Sequence, residues 1–115
     1  MQPEETVDFI VKTLNDMKAY DVTVLDVEKL TTMTDVMIIA TGQSDRQVKA
    51  LANKVLEDVK HRHHEVLGTE GIEPGQWALL DFGDIIVHIM RPDLRDYYQL
   101  EKLWSLPARD TMKSL

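Results

Sequence analysis

Three groups of residues in this chain have the types and spacing that could do chemistry. Asp81 and Asp84 bracket Phe82-Gly83. Close carboxylates can hold magnesium or move protons, they can stabilise a turn through their own backbone, or they can meet the cations of a partner. The turn and partner roles are compatible and outweigh the metal or catalytic one. Asp81-Phe82-Gly83 also spells the metal-binding triplet of protein kinases. That triplet works only beside a Gly-rich loop, a strand lysine and a catalytic loop, and a chain of 115 residues has none of them. Gly42-Gln43-Ser44 follows an apolar run and could present helix amides to a phosphate. With neither GxGxxG nor GxxxxGK[ST] in the sequence, a turn glycine and an N-capping serine account for the same residues. His61, His63 and His64 are clustered, but only His61 and His64 share a helical face, with no carboxylate in a recognised ligand pattern. A solvent-facing set at the negative end of a helix is the simpler account.

The elements that must position these residues are legible in the apolar pattern. Residues 6–19 carry Val7, Ile10, Val11, Leu14 and Met17 at helical spacing. Residues 22–27 (VTVLDV) read as a strand. The continuous apolar run Val36 to Thr41 reads as a central strand buried on both faces. Ser44 then opens a helix, with Ser44 and Gln47 as a capping box and Val48, Leu51, Ala52, Val55, Leu56 and Val59 as its stripe. It ends near His61–His64. Residues 65–70 are a weaker strand and residues 71–75 a loop. QWALLDFGDIIVHIM (76–90) is a hairpin turning at Phe82-Gly83 or Gly83-Asp84. Pro92-Asp93 starts a last helix, with Asp93 as its N-cap and Pro107 as its stop. Tyr97 or Trp104 is expected in the core, with Tyr98 as the better surface candidate.

This order predicts one α/β (α+β) domain over residues 1–107, a mixed sheet flanked by helices, with 108–115 as a loose C-terminal tail. The strand–Gly–helix passage at 36–48 predicts at least one parallel strand pair.

The hairpin carries the most information. Either turn puts Ala78, Leu80, Phe82, Ile85, Val87 and Ile89 on one face, all of them apolar. The other face holds Trp77, Leu79, Asp81, Ile86, His88 and Met90, with Asp84 at its rim. A solvated face would be more polar, and a second core face would lack the Asp and the His. Mixed character around a large aromatic is the mark of a protein-binding surface.

Bulk composition narrows the partner. A net charge of −7 argues against nucleic acid as the main contact, because that binding is driven by Lys and Arg neutralising phosphate; it favours a basic partner. No cysteine is present, so disulfides, thiolate zinc sites and cysteine nucleophiles are excluded, and the chain suits a reducing cytoplasm. No apolar run reaches the length of a membrane span, and the acidic start MQPEE is no signal peptide.

Asp26-Val27, Thr34-Asp35, Ala40 to Ser44, Arg46 to Val48, Glu70-Gly71, Trp77, Leu80 to Asp84, Val87-His88 and Tyr98 to Trp104 form an ordered set over nearly the whole chain. In that set the chain resembles the Iojap family, also called RsfS, the ribosomal silencing factors. It departs at Val36-Met37, where the family often has aromatics, and at Phe82, where it often has Tyr. The resemblance implies a small fold similar to nucleotidyltransferases and no enzymatic activity. It further implies binding to protein fourteen of the large ribosomal subunit, which blocks subunit joining and represses translation. Organellar relatives act in large-subunit assembly.

The resulting expectation is a binding module that requires no metal or cofactor. Trp77 is its aromatic anchor, with Leu79, Ile86 and Met90 around it. Asp81, Asp84 and Glu101 meet basic residues, His88 shapes the face, and Tyr98 lies at its edge. The same Trp face equally suits a homodimer. The rival is a nucleotidyltransferase using Gly42 and Ser44 for phosphate and Asp81 and Asp84 for magnesium.

Overall fold

The computed structural model describes residues 3–32 and 34–98. Helix α1 (Pro3–Asp16) begins with a proline, whose missing amide costs nothing in a first turn. It ends in a Schellman closure: the Ala19 amide bonds the Leu14 carbonyl at 2.9 Å and the Lys18 amide bonds Asn15 at 3.0 Å. Lys18 takes the left-handed conformation (φ 65°) that this closure needs. The helix thus starts and stops three residues before the span expected from periodicity.

Strands β1 (Tyr20–Asp26) and β2 (Val36–Thr41) follow. Helix α2 (Asp45–His61) is capped by Ser44, whose hydroxyl accepts the Gln47 amide at 3.1 Å. The reciprocal bond differs from a standard capping box. Gln47 Oε1 accepts from the Gln43 amide at 2.6 Å instead of the cap residue's own, while its Nε2 donates to the Lys18 carbonyl at 3.2 Å. One glutamine thus ties the start of α2 to the end of α1. The helix closes with a second Schellman pattern, His64 amide to Val59 carbonyl and His63 amide to Lys60 carbonyl, with His63 left-handed at φ 60°.

Short strand β3 (Gly68–Glu70) leads through two left-handed glycines, Gly71 and Gly75, to β4 (Trp77–Asp81) and β5 (Ile85–Met90). Helix α3 is described from Pro92 to Tyr98. Asp93 falls inside its first turn and is not the N-cap. The cap position belongs to Arg91, whose carbonyl accepts the Arg95 amide and whose Nε lies 3.3 Å from the Asp93 carboxylate. The expectations for Trp104, Pro107 and the tail 108–115 lie outside the described residues.

The five strands form one mixed sheet in the order β1-β2-β5-β4-β3. The β2–β5 pair is parallel and the other three pairs are antiparallel, as the strand–Gly–helix passage predicted. Both long helices lie on one face. Ile10 and Leu14 of α1, and Val48, Leu51, Val55 and Val59 of α2, pack with Ala78, Leu80, Phe82, Ile85, Val87 and Ile89. The expected division of the hairpin therefore holds on its core side. Gly42 permits the close approach of β2 to α2: a β-carbon there would sit 2.8 Å from the Val48 side chain.

Candidate functional site

The register settles the hairpin turn. Asp81 pairs with Ile86 and Trp77 with Met90, so Gly83 and Asp84 form the loop. The Phe82 amide bonds the Ile85 carbonyl at 2.9 Å, and the Asp84 amide bonds Phe82 at 3.2 Å. The latter makes a γ-turn centred on Gly83 at φ 87°, a conformation strained for any residue with a β-carbon. Asp81 Oδ1 accepts the Gly83 amide at 2.8 Å, so one carboxylate oxygen holds the turn.

Asp84 departs from its expected place at the rim of the outer face. Its carboxylate turns toward the helices, with Oδ1 buried, lacking a hydrogen bond and 3.5 Å from His64 Nε2. His64 is brought there by the left-handed His63, which reverses the chain and lays the imidazole edge-on against Phe82, ring centroids 6.1 Å apart. The three histidines at this helix end therefore diverge: His61 and His63 are exposed, while His64 packs inward. Among the described residues no cluster of His, Asp and Glu is placed to hold a metal ion.

Pairing across the sheet lays out the outer face in rows. One row holds Gly68, Asp81, Ile86, Met37 and Leu25, and the next holds Glu70, Leu79, His88, Ile39 and Thr23. The last holds Trp77, Met90 and Thr41. Helix α3 covers the Thr41 end. Leu94 packs with the cluster of Val27, Met37, Ile39 and Met90. The Arg95 guanidinium donates to Thr41 Oγ1 (2.7 Å), Thr23 Oγ1 (3.0 Å) and the Asp21 carbonyl (2.6 Å).

This covering corrects the expectation for Met90. It is fully buried, packed with Val27, Met37 and Ile39 and against Leu94, and is not part of the open surface. His88 is also buried, at 7% exposure. The indole N–H of Trp77 donates to His88 Nδ1 at 2.9 Å. An indole can only donate, so Nδ1 is the acceptor and the imidazole is neutral with its proton on Nε2. Burial acts in the same direction, lowering the His88 pKa to about 4. His88 thus fixes the orientation of Trp77, which is itself half-buried.

Leu79, Asp81 and Ile86 remain half-open, and a half-open Leu25 and an exposed Glu70 join them. The sequence reading missed the last two as site residues. Leu25 arrives through the β1–β2 register and Glu70 through the β3–β4 register; only strand pairing could have revealed either. Tyr98 sits at the end of the described part of α3, and Glu101 lies outside the described residues.

The two halves of the rival chemistry are held apart. Gly42 and Ser44 follow Thr41, which pairs with Met90, whereas Asp81 and Asp84 flank the opposite end of β5, where Ile85 pairs with Val36. Five residue steps along a parallel strand separate them by roughly 17 Å. A phosphate cradled at Ser44 is out of reach of a magnesium ion at the hairpin.

A family model described as ribosomal silencing factor during starvation (RsfS) matches residues 1–114. The ribosomal silencing factor RsfS of Chromobacterium violaceum is 46% identical over 104 residues, covering 90% of this chain and 85% of its own. That of Haemophilus influenzae is 43% identical over 99 residues, covering 86% and 97%. A crystal structure of a Chromobacterium violaceum protein superposes with a TM-score of 0.88 at 41% identity, covering 97% of this chain and 99% of that one. Agreement in sequence and tertiary structure over nearly the whole length means that the chain belongs to the RsfS/Iojap family of ribosomal silencing factors, which are regulators and not enzymes.

Proposed function

We propose that the chain silences ribosomes by docking the open part of its outer sheet face on protein fourteen of the large subunit. The small subunit is then blocked from joining, and the action takes place in the cytoplasm. The observation that carries this reading is the half-open patch of Trp77, Leu79, Ile86 and Leu25, with Trp77 held in place by His88 and with Glu70 and Asp81 beside it. A rigid aromatic amid aliphatics gives an anchor, and the adjacent carboxylates complement a basic ribosomal protein and speed encounter. Tyr98 and Glu101 belong to the same proposed contact, Glu101 lying outside the described residues. Kinship of the fold to nucleotidyltransferases is part of this reading, and superposition on such enzymes tests it.

Sedimentation with separated ribosomal subunits is the direct test. Co-sedimentation with the large subunit alone is expected, and Leu79→Asp or Ile86→Asp should abolish it without unfolding the protein. Binding to neither subunit overturns the proposal. A homodimer through this face would compete with the subunit, and the aspartate variants would then be monomeric at concentrations where the parent is not.

A further inference from the structure

The chain is acidic overall, yet Lys60-His61-Arg62-His63 at the end of α2 is a local run of cationic and imidazole side chains. All four are exposed. Lys12, Lys49, Lys54 and Arg91 each lie within 4.0 Å of a carboxylate; Lys60 and Arg62, like the scattered Lys18, Lys29 and Arg46, have no ion-pair partner among the described residues, and of these only Lys60 and Arg62 stand together. Arg62 is held in place by stacking, with its guanidinium carbon 4.0 Å from the centroid of the Phe9 ring; this leaves its N–H edge free to donate. Lys60, His61 and His63, together with Glu57, line an open depression of about 500 Å³. The nearby carboxylates are Glu57 and Asp58, which Lys54 approaches at 3.8 and 3.4 Å, Glu65, the next residue beyond His64, and Asp84, which lies against His64.

The position of this run matters as much as its charge. His64, directly following it, packs on Phe82 and approaches Asp84 at the hairpin tip. Asp81 and Ile86, the tip end of the open face, flank that same hairpin turn. A small partner seated on the sheet would not meet the α2 end. The end of α2 belongs to the helix layer, behind the sheet from the open face, so only a partner large enough to reach around the hairpin tip, as a ribosomal subunit with RNA beside protein is, would meet both.

Resting on the proposed large-subunit docking, we infer that Lys60 and Arg62, flanked by His61 and His63, form a second contact that takes phosphates of ribosomal RNA next to the docked protein. Charge neutralisation of phosphate releases counterions and makes binding fall with salt, by a slope of about 0.7–0.9 per phosphate. Overall acidity argues against RNA as the main partner but does not prevent two well-placed cations from meeting two phosphates.

The test measures affinity for purified large subunits, and for isolated protein fourteen, at several salt concentrations. The proteins compared are the parent chain, Lys60→Gln/Arg62→Gln, and Lys60→Gln/His61→Gln, which leaves the Arg62–Phe9 stack intact. For the first double variant, the slope of log affinity against log salt on the subunit should become shallower by about 1.5. The second should make it shallower by at least about 0.7. Binding of both to isolated protein fourteen should match the parent. An unchanged slope on the subunit overturns the RNA contact and leaves the docking proposal standing. Equal weakening on the subunit and the isolated protein places the cations against protein and overturns the inference as well. Failure of the parent chain to bind the subunit overturns both together.

Discussion

Acid should destabilise this protein through His88 in a way that can be isolated from every other group. The native imidazole is neutral, 7% exposed and an acceptor for Trp77; burial lowers its pKa from 6.5 to about 4. In the unfolded chain the same group has its ordinary value. Between these two values the unfolded state binds a proton that the native state refuses, so stability falls as pH falls. The contribution is fully present above pH 6.5 and is lost on acidification toward pH 4. Below that the native state is protonated too and the loss stops growing. A shift of about 2.5 units at about 1.4 kcal/mol each sets a ceiling of about 3.5 kcal/mol, with about 2.5 kcal/mol lost between pH 7 and 4.5. Carboxylates also respond to acid, so the useful quantity is a difference. His88→Asn keeps an acceptor for the indole and does not titrate. Urea melts of the two proteins at pH 7, 6, 5 and 4.5 should show the variant less stable at pH 7, by about 1–2 kcal/mol from lost packing. The gap should close and reverse by pH 4.5. The indole resonance of Trp77 should shift over the range in which the parent is protonated, as its acceptor is lost. A stability difference that does not vary with pH would refute the argument, because His88 would then be as accessible to protons when folded as when unfolded.

Four further outcomes are expected. Leu51→Ala and Leu80→Ala, fully buried on the helix side of the sheet, should each cost about 2–5 kcal/mol, as measured by denaturant melts. Trp77→Ala should weaken large-subunit binding by at least about 2 kcal/mol. It should also lower stability by about 1–3 kcal/mol, because His88 Nδ1 loses its donor in a buried site; Trp77→Phe separates the hydrogen bond from the apolar contact. Asp81→Asn keeps the oxygen that accepts the Gly83 amide, so the melt should hold while the association rate falls and the effect shrinks with salt; Asp84→Asn, turned toward His64, should change association less. Gly71→Ala should be strongly destabilising, since a β-carbon there strikes the Trp77 carbonyl and φ is 76°, and a melt within half a kcal/mol of the parent would contradict that geometry.

Periodicity alone determined the elements and one complete face. The stripe of α2 and the alternation of the hairpin select the same core because helical and strand periods leave only one apolar surface on each element to bury. Ser44 as a cap and Gly83 at the turn were equally legible, since each does a job that few other residues can. The second face was legible in composition but not in exposure. Alternation puts Trp77, Leu79, Asp81, Ile86, His88 and Met90 together, but cannot say that α3 lies over Met90 while Ile86 stays open. Nor could local sequence show that His64 leaves the histidine cluster to meet Asp84, because the left-handed turn at His63 brings it back onto a hairpin distant in the chain. Leu25 and Glu70 reach the face through strand registers that join segments distant in the chain. A one-residue slip in either register would have put them on the opposite side. The sequence by itself therefore determined which residues must be buried and which turns must form, through short-range sterics and the two backbone periods. The tertiary structure alone decided which part of the outer face remains open, because that depends on where a helix comes to rest across strands it is not adjacent to in sequence.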